Sequence, residues 1–476
     1  MSNLNDLKII DPNLDLFIYD LREGLGQTEE DISKNRRQFW QKIYPKLDDA
    51  KLAEIMSGLA EKEQSDRDFV RLLKPSLQKF KPGIQGYYYA ALINDFYALQ
   101  IDCYFEETGQ NRLIKKFDAF ATLKSAVESQ FGKHLFHQSL DTNQGTLGQT
   151  NFLWGQLDRP NLLPKDIKEA AEIGYKNYTK NGNWQRDRTD ELGQFLGGTL
   201  FEVWKSPPGW EKPSDFPQGN HIVMLLFPAE VDVKSQEIQD KIALVYFHFL
   251  YLFGYRSKII WAYHQSRQPA SQLKEYFQEI DDLIKQVGAL GDRLNPNDTD
   301  LEKLSNTLRR TLTILSDYAV KLSELELQNR TLQTNLGNYR KRLEKLKQLD
   351  TQSNLKLWEN FADFVQQKYQ EQIEVDIANR QPGLTLLENL IRTIEGTIDI
   401  YKTAGERRLN LTVASVGTGL AASSVVIGAI ATKPPPNKPL FFNKPHLSLI
   451  AISLACGIAI GLLTWWVLKS VRSTKS

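Results

Sequence analysis

The sequence predicts an α+β N-terminal domain, then a long helical, coiled-coil stalk, then a C-terminal hairpin of two transmembrane helices. Three patterns in the 476 residues carry this prediction. The first 260 residues hold short apolar runs separated by turn residues, residues 301–346 repeat leucine at heptad spacing, and two stretches near the C-terminus lack any charged residue. The boundaries that follow are 1–260 for the domain, 264–350 for a helical hairpin or coiled coil, and 351–408 for helices leading to the membrane. The spans are 409–432 and 447–468, joined by a loop at 433–446 and followed by a basic tail at 469–476.

In the N-terminal domain, Leu14–Tyr19 reads as a strand, and Tyr87–Ile93 with Phe96–Phe105 flank Asn94-Asp95 as the arms of a hairpin do. Further strands are expected at Thr150–Leu157, Phe195–Trp204 and His221–Phe227, helices at Asp166–Tyr178 and Ser235–Arg256, and a Pro/Gly-rich loop at Pro207–Gly219. Strands that follow one another through hairpins favour an antiparallel sheet with helices on one side. Ile242–Tyr255 is uncharged for 14 residues, a length that suits a buried core helix better than a membrane crossing. The aromatic content leaves room for a ligand pocket, which the sequence does not locate.

The stalk is read from its leucines. With Leu301 as position a, the a positions are Leu301, Leu308, Leu315, Leu322, Asn329, Leu336 and Leu343, and the d positions are Leu304, Thr311, Tyr318, Leu325, Leu332, Tyr339 and Leu346. Twelve of these fourteen are apolar or aromatic, which is a coiled-coil seam. Asp300 is the expected N-cap. A shorter arm, Leu273 to Leu294, fits the same seam, and Pro296 with its Asn and Asp neighbours breaks the helix between them. The arms fold back on each other as an antiparallel hairpin, or the long arm pairs with a second subunit. The long arm outruns the short one by about four heptads, so it needs a further partner. Asn329 at a core a position is a device for fixing register and oligomeric state; the plainer account places it at a polar gap where the partner ends. A third helix is expected over Asn354–Arg380, interrupted at Gln381-Pro382-Gly383, and a fourth from Leu384 that continues as a rod into the first span.

Each span, of 24 and 22 residues, is long enough for a hydrocarbon core of about 30 Å. Five prolines in the connecting loop forbid one continuous helix. Trp465 and Trp466 close the second span where an aromatic belt belongs. Arg407, Arg408, Lys469, Arg472 and Lys475 flank the hairpin against Lys433, Lys438 and Lys444 in the loop, which favours both termini in the cytosol. Ser453, Gly457 and Gly461 recur at four-residue spacing, as do Ser424 and Gly428. Such stripes let helix backbones approach closely, within the hairpin or between copies.

Fifty-nine basic residues balance 58 acidic ones, so no global field favours nucleic acid. Cys103 and Cys456 are the two cysteines, and Cys456 lies inside a span, which fits a reducing compartment. Residues 1–8 hold no apolar run of the secretory kind, which keeps the domain on the cytosolic side. The sequence has no Walker loop, dinucleotide fingerprint, zinc spacing or nucleophile elbow. No catalytic, cofactor-binding or metal-ligating residue is therefore assigned, and no cofactor is expected. His134 and His137 have no matching cysteine or carboxylate, and Gly145–Thr150 lacks the lysine of a phosphate loop. The basic run of Arg340, Lys341, Arg342, Lys345 and Lys347 reads as a solvated face or as a contact for anionic headgroups.

A cytosolic α+β domain, folded-back helices, a long helix into the membrane and a two-span C-terminal hairpin together resemble the layout of the CorA-type divalent-cation transporters. That family carries Gly-Met-Asn at the end of its first span; Ile430-Ala431-Thr432-Lys433 stands there in this chain. The loop's three lysines and absence of acid also make a poor mouth for a divalent cation. The first expectation is a non-enzymatic, membrane-anchored coiled-coil protein whose cytosolic domain binds a partner or ligand, as scaffold, tether or sensor. The second is an oligomeric two-span channel or pore-forming effector. The expected partners are the bilayer, further copies of the chain through coiled coil and spans, and a cytosolic partner of unknown kind.

The uncharged spans predict that the full chain stays with membranes through carbonate and high-salt washing. Release by either wash without detergent would refute the hairpin.

Overall fold

The structure is a computed structural model and describes residues 7–404 except 25–26, 66, 107–111, 137–145, 181, 205–220 and 292–297. The expected spans, their loop, the basic tail and the loop at 207–219 lie outside the described residues. Among the described residues, no helix is long and apolar enough to cross a membrane.

The N-terminal elements are β1 (Ile9–Leu21), α1 (Glu29–Ile43), α2 (Asp49–Glu63), β2 (Phe69–Arg71), β3 (Ser76–Lys81), β4 (Ile84–Ile93), β5 (Phe96–Phe105), β6 (Ile114–Lys115), α3 (Ala119–Phe131), β7 (Thr146–Leu157) and α4 (Pro164–Thr179). There follow α5 (Trp184–Asp187), β8 (Gly193–Phe195), β9 (Gly198–Val203), β10 (His221–Phe227), α6 (Gln236–Gly291), α7 (Asp298–Leu349), α8 (Lys356–Phe364), a π-helical segment (Val365–Gln370), α9 (Glu371–Arg380) and α10 (Pro382–Ala404).

The strands form one sheet in the order β2-β4-β5-β1-β7-β10-β9-β8, with β3 beside β4 and β6 beside β1. The expected β4–β5 hairpin is present and turns at Asn94 (φ 51°), whereas the stretch expected as one strand at 195–204 is broken at Leu196-Gly197 and forms the second arm of the hairpin β8–β9. Leu196 and Gly197 both take positive φ in that turn, the conformation a two-residue hairpin needs. The sheet is mixed, correcting the antiparallel expectation. β10 lies parallel to β7 because α4 and the β8–β9 hairpin carry the chain back before β10 is laid down.

The helices also occupy both faces, not one. On one face, Leu14, Leu16 and Ile18 of β1 pack with Phe39 and Trp40 of α1, Phe120 and Leu123 of α3 and Ala170 of α4. On the other face, Phe17 meets Phe249 and Phe253 of α6, and the Tyr19 hydroxyl donates to the Leu250 carbonyl at 2.9 Å. Gly254 permits this approach, since a Cβ there would stand 2.7 Å from the Phe96 ring. A strand covered on both sides is buried along its length, as β1 is from Asn13 to Leu21.

The chain divides into two compact units, Met1–Glu275 with Ala319–Gln381, and Tyr276–Tyr318 with Pro382–Ser476. In the first, α6 is covered in turn by α7 and α8. Trp358 sits edge-on to Phe249 and Phe253, Tyr339 lies 5.3 Å from Phe361, and the Tyr339 hydroxyl donates to the Trp358 carbonyl. The expected single helix over 354–380 is interrupted by the π segment, whose Tyr369 stacks on Tyr263 at 4.0 Å. In the second unit, the end of α6, the start of α7 and α10 form a three-helix cluster. Tyr276 meets Tyr318, Arg310 pairs with Glu279, and the Tyr401 hydroxyl donates to the Leu290 carbonyl.

All seven d positions of α7 are buried, as are four of the seven a positions. Thr307, Ile314, Gln328 and Asn335, one step before a, are buried as well. A seam three positions wide suits a helix packed against two neighbours rather than one. Within this chain α7 meets α6, which extends unbroken through residues 260–264, and meets α8 and α9 as a second neighbour. Asp300, the expected N-cap, lies inside the first turn of a helix that starts at Asp298. Asn329 is half-buried, and its Oδ1 is buried with no hydrogen-bond partner. A buried acceptor left unmet costs roughly 1–3 kcal/mol, so Asn329→Leu is expected to raise stability by about 1 kcal/mol. Chemical denaturation of the two proteins checks this; a loss of stability would mean that the amide holds the bundle's register.

Candidate functional site

Strand register assembles the site on the face that α6 covers. One transverse row reads Tyr87, Asp102, Asp15, Phe152 across β4, β5, β1 and β7; the next reads Gln85, Tyr104, Asn13, Trp154. The alternation of β1 aims Asn13 and Asp15 to the side opposite Leu14 and Leu16. At the start of β1, the register against β7 shifts between Ile10 and Asn13, and Asp11 takes φ 48° ahead of Pro12. Such a bulge splays the strand. A cavity of about 740 Å³ opens there, between the two rows and the first turns of α6 at Gln239, Ile242 and Tyr246. Asp11, Glu106, Arg112 and Lys234 bring charge to its wall, and Arg112 and Lys234 both pair with Asp11, at 3.4 and 3.7 Å.

The cavity's inner wall is polar and poorly matched. Asp15 Oδ2 accepts from the Tyr246 hydroxyl at 2.9 Å and from Trp154 Nε1 at 3.2 Å. Gln156 spends its amide N–H groups on the carbonyls of Pro228, Ala229 and Val231, which leaves its Oε1 buried and unbonded. Asn13 Oδ1 and Asp102 Oδ1 are likewise buried with no partner among the protein groups. Asn13, Asp102 and Gln156 are 8%, 3% and 2% exposed, and all three line the cavity.

Asp15 and Asp102 face each other across β1 and β5 with no cation beside them among the described residues. Burial, and then the Asp102 charge, hold the Asp15 carboxyl well above the ordinary carboxylate range. Burial likewise pushes Asp102 up to about 7, against the lowering influence of Asn13, Asp15, the Cys103 amide and Tyr87. The pair titrates as a unit and retains a proton near neutral pH. Burial and the two acids also raise the Tyr87 and Tyr246 hydroxyls, so both remain donors.

A second polar cluster lies on the same sheet face. Thr150 Oγ1 is 2.8 Å from His221 Nδ1, His221 Nε2 is 2.8 Å from Glu202 Oε1, and the Arg256 guanidinium lies over the rings of Trp204 and Phe361. The residue types are those of a hydrolytic triad. Thr150, His221 and Glu202 are each at most 3% exposed and none lines the cavity, so among the described residues the threonine is shut off from it. Burial, then Arg256, lower His221 to about 4 against the pull of Glu202, so the imidazole stays neutral and locks Glu202 in place.

Asn329 lies in the helical layer and not at the cavity. Ser424, Gly428, Ser453, Gly457 and Gly461, expected to pack the spans, lie outside the described residues, as do His137 and Gly145; Thr146–Thr150 belongs to β7. Cys103 is buried and free. The basic run is divided: Lys341 and Lys345 are exposed, as a solvated face requires, while its other members are engaged. Arg342 stacks on Tyr251 and Phe247, Arg340 bonds Gln366, and Lys347 pairs with Glu359. Comparison with protein-family models, with curated proteins and with solved structures gives no match.

The folded state holds the Asp15–Asp102 protons to higher pH than the unfolded chain does. This contribution is most favourable below an unfolded carboxyl pKa of about 4 and is lost as pH rises toward neutrality, with a slope of at most about 1.4 kcal/mol per pH unit for each group. Asp102→Asn is therefore expected to melt higher than wild type at pH 8 and to narrow that lead as pH falls to 5. Parallel melting curves would refute the buried pair.

Proposed function

We propose that this chain is a non-enzymatic, membrane-anchored sensor whose N-terminal domain takes a small ligand in the cavity between the sheet and α6. The cavity itself supports the reading most: its 740 Å³ suits a small molecule, and orphaned polar atoms sit among aromatic rings in its wall. The same helix that forms one wall of the cavity through Tyr246 also supplies Tyr276–Gly291 to the second helical unit. Occupancy thus bears on a helix that both units share. Two uncharged spans support the anchor, cytosolic termini follow from their basic flanks, and the small-residue stripes of those spans support assembly into oligomers.

A thermal-shift screen of small molecules against the full chain in detergent tests the ligand reading, with Gln85→Trp as a variant that fills the cavity. Ligands at about 100 times their Kd are expected to stabilise wild type by roughly 2.7 kcal/mol and to leave Gln85→Trp unmoved. Equal shifts in both proteins would place binding elsewhere.

A further inference from the structure

We infer that the cavity over Asp102 is built for a small organic cation carrying N–H donors, an ammonium or guanidinium head on a compact body. The inference rests on the reading of this cavity as a ligand site and adds the ligand's chemistry. Its first support is a comparison within the unit. Asp20, Glu63 and Glu202 are buried acids, and each has a cation: Lys42 at 2.5 Å, Arg36 at 2.5 Å, and Arg256 behind His221. Among the described residues, Asp15 and Asp102 have none, and Arg112 and Lys234 at the cavity wall are engaged by Asp11. A buried carboxyl pair that lacks a counter-charge is completed by a ligand that brings one.

The orphaned atoms specify the ligand further. Asn13 Oδ1 and Gln156 Oε1 are acceptors, Asp102 Oδ1 becomes one when the pair gives up its proton to an incoming cation, and no other cavity-lining side chain has an orphaned donor among the described residues. An alcohol offers one O–H, whereas an ammonium offers three N–H donors together with its charge. The rings of Tyr87, Tyr104, Trp154 and Tyr246 suit a cation with an apolar body. They do not suit a metal ion, and no group of three His, Cys, Asp or Glu able to hold one occurs among the described residues.

Three probes of equal body and different head decide the matter: 2-phenylethylamine, 2-phenylethanol and 3-phenylpropionate, titrated calorimetrically into the full chain in detergent. The amine is expected to bind at least tenfold more tightly than the alcohol, and the acid not measurably. Asp102→Asn is expected to erase the amine's advantage while the alcohol still binds, and Asn13→Leu to reduce it. Gln85→Trp is expected to abolish binding of both. If amine and alcohol bind alike, and both are lost in Gln85→Trp, the cavity stands as a ligand site and the cation inference falls. If Gln85→Trp leaves amine binding intact, the cavity reading falls with it. Binding of the acid above the amine, silence of all three probes at millimolar concentration, or stabilisation by Ca²⁺ or Mn²⁺ that Asp102→Asn removes would each overturn the inference.

Discussion

The packing of α6 across the second face of the sheet is the constraint on which the first unit depends. Phe249 and Phe253 insert between Phe17 of β1 and Trp358 of α8, and Gly254 draws the helix onto Phe96. A fully buried phenylalanine in such a stack is worth about 3–5 kcal/mol by truncation. The cost on the other side is the polar inventory of that face, which includes Asp15, Asp102, Thr150, His221 and Glu202. Near α6's middle these groups are satisfied by one another and by Arg256. Near its first turns they are not, and there the strand bulge at Asp11-Pro12 opens the cavity.

The two polar clusters therefore show two solutions to one problem. Around His221 the Glu202 carboxylate is matched by the imidazole and by the charge of Arg256, although Arg256 Nε and Nη2 are buried with no hydrogen-bond partner. Around Asp102 a proton shared between two acids stands in for a cation, a makeshift that the pH of the surroundings can undo. Unfilled acceptors in a folded core lower stability, and such sites persist where binding needs them.

Much of the sheet was legible because hairpins are local: β4–β5 announces itself through Asn94-Asp95, and β7 and β10 through apolar runs. The amphipathic helices α1, α2 and α3 were not read, and the parallel pairing of β7 with β10 joins residues separated by a whole helix and a hairpin. The cavity was not legible for a sharper reason. In Leu14–Tyr19 the alternation marks Asp15 as solvent-facing, and the same pattern puts Gln100 and Asp102 outside in β5. Only the coverage of that face by α6 turns these polar positions into buried ones, and only the register brings Asp15 opposite Asp102. Asn329 stands out in the sequence by its heptad position, and in the structure it is half-buried with an unmatched Oδ1, a burial that no heptad pattern states.

The aromatic stack has a further consequence for biosynthesis. Phe17 leaves the ribosome about 340 residues ahead of Trp358, which completes the far side of the stack. At roughly 5–20 residues per second the interval is on the order of tens of seconds. Throughout it, the strands can pair and α1 to α4 can settle on their own face, while the opposite face, with its phenylalanines and its unpaired acids, waits for a cover not yet synthesised. Contacts of such long sequence separation are slow to form and leave apolar surface open to chaperones or to other nascent chains. The first unit thus cannot be completed until the helices that carry Trp358 have been made.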